Sequence, residues 1–322
     1  MKLTFENFRG SWAGLPVAWT SQDRFDEKTY RGDVARCCRL GVPGIYTGGT
    51  TGEFYAMEFD EFQQVARATV EEAHAAGKPV MIGVSSTYTL GAARRAAYAA
   101  EIGADAIQVA LPFWMEVPDA AVPGFFREVS RAAGHLPLSV YETRRTKKAL
   151  TVEQHRALKV DLPNYLMVKA NANTIGTTTE GCTALAQLRI NVFGDESSLW
   201  SQLGLHGMTG CCSSFVYYVP DLVLPLNREL ANKNWAKVAE LGAQVKKVLD
   251  FVISRFVEQG YWDSAMDRLG GVAGGVLRTS LYCRGPYAHA NEDDVRAFRD
   301  WYRQNMPEVY AAIEVRLAQF GT

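Results

Sequence analysis

Neither sign of charge dominates this chain: 34 lysines and arginines stand against 35 aspartates and glutamates, a formal net charge of −1 over 322 residues. Without a basic excess there is no electrostatic footprint for nucleic acid or for an anionic membrane surface. A small anionic substrate is not excluded, since it needs only a local cluster of cations. No stretch approaches the roughly 20 apolar residues needed to span a bilayer, and the opening MKLTFENFRG has no apolar core of the kind a secretory signal requires. The six cysteines fall as Cys37-Cys38, Cys211-Cys212, Cys182 and Cys283, with no C-x-x-C spacing, so a zinc ribbon or thioredoxin-like motif has no support. Six also fits a disulfide framework by number, but a chain this large can rely on its core. Reduced cysteines in a cytoplasmic protein are the expectation. His74, His135, His155, His206 and His289 include no i, i+4 pair, which argues against a metal-dependent aldolase.

What the chain does have is a repeating alternation. A hydrophobic fraction of 48% with 21% charged residues reads as folded and globular. Apolar runs rich in β-branched residues recur at Leu15 to Thr20, Val42 to Thr47, Pro79 to Val84, Ala106 to Leu111, Pro137 to Tyr141, Leu166 to Lys169, Ile190 to Phe193 and Met208 to Ser213. Between them, segments such as Phe59 to Ala76, Gly91 to Ile102 and Val122 to Ala133 repeat apolar residues at helical spacing. Gly77, Gly103 and Gly134 sit where helix C-terminal caps belong.

Strands apolar on both faces that alternate with helices imply a parallel sheet covered by helices. Eight such units predict an α/β protein, a (β/α)8 TIM barrel. The competing doubly wound sheet would carry a glycine-rich phosphate loop after its first strand, and here Ser21, Gln22 and Asp23 follow instead. The barrel is expected over residues 1–220. Residues 221–322 are too many for one closing helix, and Trp235 to Gln259, Ser264 to Thr279 and Glu292 to Gln304 have helical patterns. A closing helix and a C-terminal helical extension in the same continuous domain are expected.

Active sites of such barrels lie at the C-terminal ends of the strands. The second strand runs into Gly48-Gly49-Thr50-Thr51-Gly52-Glu53, the fifth ends at Tyr141, the sixth at Lys169, and the seventh runs into Gly194-Asp195-Glu196. A lysine closing an apolar strand is partly desolvated, which lowers its pKa, and Arg144, Arg145, Lys147 and Lys148 after the neighbouring strand would push the same way. A neutral amine can attack a ketone to give an imine, an electron sink for a carbanion at the adjacent carbon. By position alone the same lysine also reads as one that snorkels from the barrel rim. Tyr141 could transfer protons if a hydroxyl partner polarises it, and Thr50 and Thr51 supply hydroxyls. The flanking glycines expose backbone N–H groups that could bind a carboxylate. Taken singly, a strand-end Tyr is more often a core residue and Thr-Thr-Gly an ordinary turn. Cys211 and Cys212 read as small buried residues rather than catalytic thiols. Asp195 and Glu196 read as loop-capping groups or acid/base candidates, and Trp200, Phe215, Tyr217 and Tyr218 as packing.

Together, GGTTGE, Tyr141, Lys169, Gly194-Asp195-Glu196 and Gly207-Met208-Thr209-Gly210 continuing to Ser213 and Pro220 resemble the dihydrodipicolinate synthase / N-acetylneuraminate lyase family in order and spacing. The resemblance spans essentially the whole barrel. It implies a class I aldolase in which Lys169 forms an imine with pyruvate or another 2-keto acid and Tyr141 transfers protons. It further implies that Thr51 joins Tyr141 in a hydroxyl relay, and that Gly49, Thr50, Thr51 and nearby backbone hold the keto-acid carboxylate. Gly194 and Cys212 correspond to pocket positions. No metal or organic cofactor is implied, because the lysine is the electron sink, and a homodimer or homotetramer is expected.

The chain departs from that family in two places. Pro112-Phe113-Trp114 stands where dihydrodipicolinate synthases have Pro-Tyr-Tyr, and an indole cannot shuttle a proton as a phenol can. Tyr141-Glu142-Thr143-Arg144-Arg145 replaces Tyr-Asn-x-Pro and its following arginine, so Arg145 is expected to bind the distal substrate group, and Glu142 to act as a second acid/base or to pair with Arg144. These departures favour cleavage or dehydration of 2-keto-3-deoxy sugar acids or aromatic hydroxybenzylidene-pyruvates, with Trp114 in an aromatic wall or at a subunit contact. Condensation of pyruvate with aspartate semialdehyde is the alternative. A keto-acid sensor without catalysis is a further one, which the intact Lys, Tyr and Thr set disfavours.

Overall fold

Eight short parallel strands close on one another in sequence order, each hydrogen-bonded to the next and the eighth to the first. This computed structural model describes residues 2–194 and 204–320, and Asp195, Glu196 and Trp200 lie outside the described residues. The strands are β1 (Gly10–Gly14), β2 (Ile45–Thr47), β3 (Val80–Gly83), β4 (Ala106–Val109), β5 (Leu138–Glu142), β6 (Tyr165–Ala170), β7 (Asn191–Gly194) and β8 (Met208–Ser213). The expected TIM barrel is present.

Strand alternation sorts the side chains into two cores. Trp12, Tyr46, Met81, Met167, Phe193 and Cys212 fill the barrel interior. Leu3 and Phe8 join that cluster, and Phe8 packs on Trp12 and Phe193 with ring centroids 4.9 and 5.6 Å away. The outward residues, Val168 and Ala170 of β6 among them, pack in the larger layer between sheet and helices. That same layer takes in Phe256, Leu269, Phe298 and Ile313 from the C-terminal extension, so barrel and extension share one apolar cluster.

The first strand is a correction. It is Gly10–Gly14, with the sequence GSWAG, and not the more apolar Leu15 to Thr20. The two backbones meet closely at this seam: a Cβ on Gly210 of β8 would lie 2.3 Å from the carbonyl oxygen of Gly10, which itself has φ +82°. Packing at the β1–β8 seam thus overrides β propensity. Leu15 to Thr20 continues as a largely buried segment whose Leu15 N–H still reaches the carbonyl of Tyr46 at 2.9 Å.

Helices Phe59–Ala75, Thr89–Glu101 and Val122–Ala132 lie close to the expected bounds. Gly77, Gly103 and Gly134 follow them with φ of +69, +80 and +58°, the left-handed conformation of a helix stop. In the extension, Trp235–Phe256, Asp263–Ala273, Glu292–Asn305 and Pro307–Phe320 are helical. The second of these ends six residues before Thr279, because Gly274 and Gly275 follow and Gly275 has φ +76°. No described helix is long and apolar enough to cross a membrane.

Candidate active site

The loop after β2 is built on glycine for a steric reason. A Cβ on Gly49 would sit 2.1 Å from the Tyr46 hydroxyl, and one on Gly83 would sit 2.1 Å from the carbonyl oxygen of Gly48. Gly48 also has φ +76°. The loop therefore lies flat on the Tyr46 ring and on β3, which sets Thr50 and Thr51 at the mouth of the barrel. Gly49→Ala is expected to destabilise the protein by about 1–3 kcal/mol, the usual scale of overpacking, measurable as a lowered denaturant midpoint.

Tyr141 and Lys169 are register partners on β5 and β6. The Lys169 amine lies 4.6 Å from the centroid of the Tyr141 ring and 5.8 Å from that of Tyr46. The Tyr141 hydroxyl is 3.3 Å from Thr50 Oγ1. It is thus Thr50, rather than the expected Thr51, that meets Tyr141. Thr51 donates its hydroxyl hydrogen to Asp267 Oδ2 at 2.5 Å. The chain turns here, with the Glu53 N–H closing on the carbonyl of Thr50 at 3.0 Å, so one threonine faces Tyr141 and the next faces the extension.

Burial is the largest influence on the Lys169 ammonium and disfavours it, while Tyr141, Cys212, Tyr46 and Cys211 favour it, and the balance holds the amine well above the ordinary lysine range. The expected depression by neighbouring cations is corrected. Arg145 is paired with Asp263 at 2.9 Å, Lys148 with Asp119 at 2.5 Å, and Lys147 donates to the carbonyl of Trp114 at 2.5 Å. Burial pushes the Tyr46 phenol up, so it stays neutral at physiological pH. Of the acids around the amine, Tyr141 gives it the most support.

Above the strand ends lies a cavity of about 320 Å³ walled by Thr50, Tyr141, Thr143, Arg145 and Thr146 together with Phe54, Tyr55, Phe113, Trp262 and Tyr287. Lys169, Gly49, Gly194 and Cys212 are not on its wall; Lys169 meets it through Tyr141. Gly194 is buried at the end of β7 beside Cys211, and Cys212 is buried inside the barrel.

Trp114 is not brought to the cavity. It is 76% exposed and shares a separate surface cleft with Thr87 and Met115. The chain turns after Pro112 so that Phe113 supplies the wall, edge-on to Phe54 at 5.8 Å. Glu142 is corrected as well, since alternation along β5 points it away from the cavity. Its Oε1 accepts from the N–H of Leu150 at 2.7 Å, and Oε2 lies 3.5 Å from His155 Nε2. It is the tether of the loop that carries Thr143, Arg145 and Thr146, and Arg144 is not its partner.

The extension roofs the site, a contribution invisible in local patterns. Tyr287 packs on Tyr55 with centroids 5.2 Å apart, and Arg284 donates to the carbonyl of Ala56 at 2.7 Å. Glu53, fully buried and left-handed at φ 48°, accepts from Trp19 Nε1 at 2.7 Å and forms a buried ion pair with Arg268. Residues 7–304 match the model of the dihydrodipicolinate synthetase family. The chain belongs to that family. It is therefore an enzyme of the lyase class and of the class I aldolase type that the motifs implied.

A 4-hydroxy-tetrahydrodipicolinate synthase of Rhizobium meliloti (strain 1021) is 27% identical over 288 residues, 88% of this chain and 94% of that protein. In fold the chain is similar to YagE of E. coli K12 solved with pyruvate, at a TM-score of 0.83 and 19% identity over 92% of this chain and 98% of that one. It is also similar to a catalytic-lysine mutant of Ruminococcus gnavus sialic acid aldolase, at a TM-score of 0.81 and 17% identity over the whole of both chains.

Proposed function

We propose that this lyase takes pyruvate or another 2-keto acid as an imine on Lys169 and makes or breaks a carbon–carbon bond to an aldehyde, or dehydrates a 2-keto-3-deoxy acid. The contact of Lys169 and Tyr141 at adjoining strand ends, with Thr50 meeting Tyr141 from the loop after β2, carries this reading. The Lys169 nitrogen adds to the keto carbon, and water leaves as the imine forms. Tyr141 gives and takes the protons of those steps, with Thr50 holding its hydroxyl. The backbone at Gly49, Thr50 and Thr51 receives the carboxylate.

The distal part of the cavity supports an uncharged, aryl-bearing aldehyde half. Its walls are the rings of Phe54, Tyr55, Phe113, Trp262 and Tyr287, which favour apolar and aromatic surface. Arg145, the cation on the wall, already has a counter-ion in Asp263. Asp263→Asn is accordingly expected to raise kcat/KM for a carboxylate-bearing aldehyde relative to benzaldehyde by about three- to fivefold, the scale of one exposed ion pair. An unchanged ratio would mean that Arg145 does not face the aldehyde. The relative from Rhizobium meliloti favours a second reading, condensation of pyruvate with aspartate semialdehyde. A coupled assay for the cyclised product tests it.

The exposed apolar side chains Tyr88, Leu90, Trp114 and Met115 support assembly as a homodimer or homotetramer. Six buried cysteines suit the reducing cytoplasm. The deciding experiment for the lyase reading is borohydride trapping with pyruvate, followed by intact-mass spectrometry. A reduced pyruvyl adduct is expected on the wild-type protein.

A further inference from the structure

We infer that Asp267, on the helix Asp263–Ala273 of the C-terminal extension, is a positioning residue for the keto-acid site and acts through Thr51; this rests on the functional reading above. Asp267 is 7% exposed. Its Oδ2 accepts the Thr51 hydroxyl at 2.5 Å, and its Oδ1 accepts the hydroxyl of Tyr218 at 3.0 Å. Tyr218 is fully buried and wedged against the same helix, where a Cβ on Gly270 would lie 2.2 Å from its ring. The carboxylate is thus held from behind by one hydroxyl and presents its other oxygen to the loop.

The next residue grips the loop too. Arg268, with no exposure, donates to the carbonyl oxygens of Val17 at 2.6 Å and Ser264 at 3.0 Å and pairs with Glu53. Two consecutive residues of one helix therefore engage Thr51 and Glu53, two residues apart in the GTTGE loop. The two grips do different things. The Glu53–Arg268 pair fixes the end of the loop, buried and off the cavity wall. Asp267 reaches the threonine adjacent to Thr50, whose own hydroxyl meets Tyr141.

A hydroxyl has one hydrogen to give. With it committed to Asp267, Thr51 is locked in one rotamer and cannot compete with Thr50 for Tyr141. The N–H groups of the loop are left aimed at the carboxylate. Loss of the acceptor frees Thr51 to rotate and loosens the seat of the keto acid, while the amine, the phenol and their contact stay in place.

The test is the pyruvate concentration that gives half-maximal borohydride-trapped adduct on Lys169, read by intact mass, with melting temperatures measured alongside. Asp267→Ala is expected to raise that concentration about tenfold, the scale of one hydrogen bond to a charged group. Asp267→Asn keeps an acceptor for Thr51 and is expected to recover to within about threefold of wild type. Thr51→Val combined with Asp267→Ala is expected to be no worse than Thr51→Val alone, because the aspartate acts through that threonine. If Asp267→Ala lowers the melting temperature but leaves half-saturation where it was, or if the double variant shows the product of the single effects, the inference falls while the lyase reading stands. A wild type that traps no adduct sinks the lyase reading and this inference with it.

Discussion

Lys169→Ala is expected to eliminate the trapped pyruvyl adduct and to reduce turnover by at least about four orders of magnitude, the scale on which a covalent nucleophile is missed. The size follows from the chemistry. Without the imine there is no cationic nitrogen to accept the electron pair of the breaking bond, and among the described residues the cavity wall supplies no substitute: Arg145 is occupied by Asp263, and the others are hydroxyl-bearing, aromatic or, at Ala110, a methyl group. Lys169→Arg should be equally inactive, since a guanidinium keeps the charge but is never a neutral amine at working pH.

The fold should survive the change. The lysine closes β6 at the mouth of the barrel, and the pairing of β6 with β5 and β7 is made by backbone that the substitution leaves in place. A melting temperature within a few degrees of wild type is expected on that ground. An adduct of undiminished yield on Lys169→Ala would assign the nucleophile elsewhere. A wild type that binds keto acids and traps neither pyruvate nor a 2-keto-3-deoxy sugar acid would leave the sensor reading in place of the lyase.

Why these residues could be found from sequence, and others could not, has a physical basis. Barrel strands advertise themselves because both faces are buried, and the C-terminal end of each is a fixed place where a polar residue interrupts an apolar run. Lys169 after Leu166-Met167-Val168 and Tyr141 after Leu138-Ser139-Val140 are such interruptions, and the structure sets them side by side. The first strand carries no such signal, for the opposite reason. Its residues are chosen for the closeness of two backbones at Gly10 and Gly210, and closeness leaves no apolar signal.

Side-chain direction within loops was the second gap. Thr50 and Thr51 are chemically the same, and only the placement of Tyr141 on one side and Asp267 on the other distinguishes them. Phe113 and Trp114 are likewise adjacent aromatics whose roles are decided by a turn after Pro112. Residues contributed by the extension had no local signal at all. Asp267, Arg268, Trp262 and Tyr287 lie more than 200 residues from the loop they serve. The one available hint was Glu53, a carboxylate closing an otherwise small and polar motif, which a buried site must neutralise, and Arg268 does so.

The contact between Tyr141 and the Lys169 amine makes Tyr141→Phe informative in two directions. Removing the hydroxyl takes away the proton carrier, so turnover is expected to fall by about 10²- to 10³-fold, within the range of lost general acid–base catalysis. Removing it also takes away the strongest of the neighbouring groups that favour the ammonium, while burial, which disfavours it, stays. The folded-state pKa of Lys169 therefore falls in the variant, and at any given pH a larger fraction of the amine is neutral. The rise of adduct formation with pH should move toward lower pH, even as each turnover becomes slower. Rates of borohydride trapping measured across pH 6–10, about the accessible range on either side of an ordinary amine, separate the two effects. Loss of turnover with no acid shift would make Tyr141 a proton carrier that leaves the amine untouched. An acid shift with turnover preserved would make it only an electrostatic neighbour of Lys169. Both together are what a phenol in contact with the amine and hydrogen-bonded to Thr50 requires.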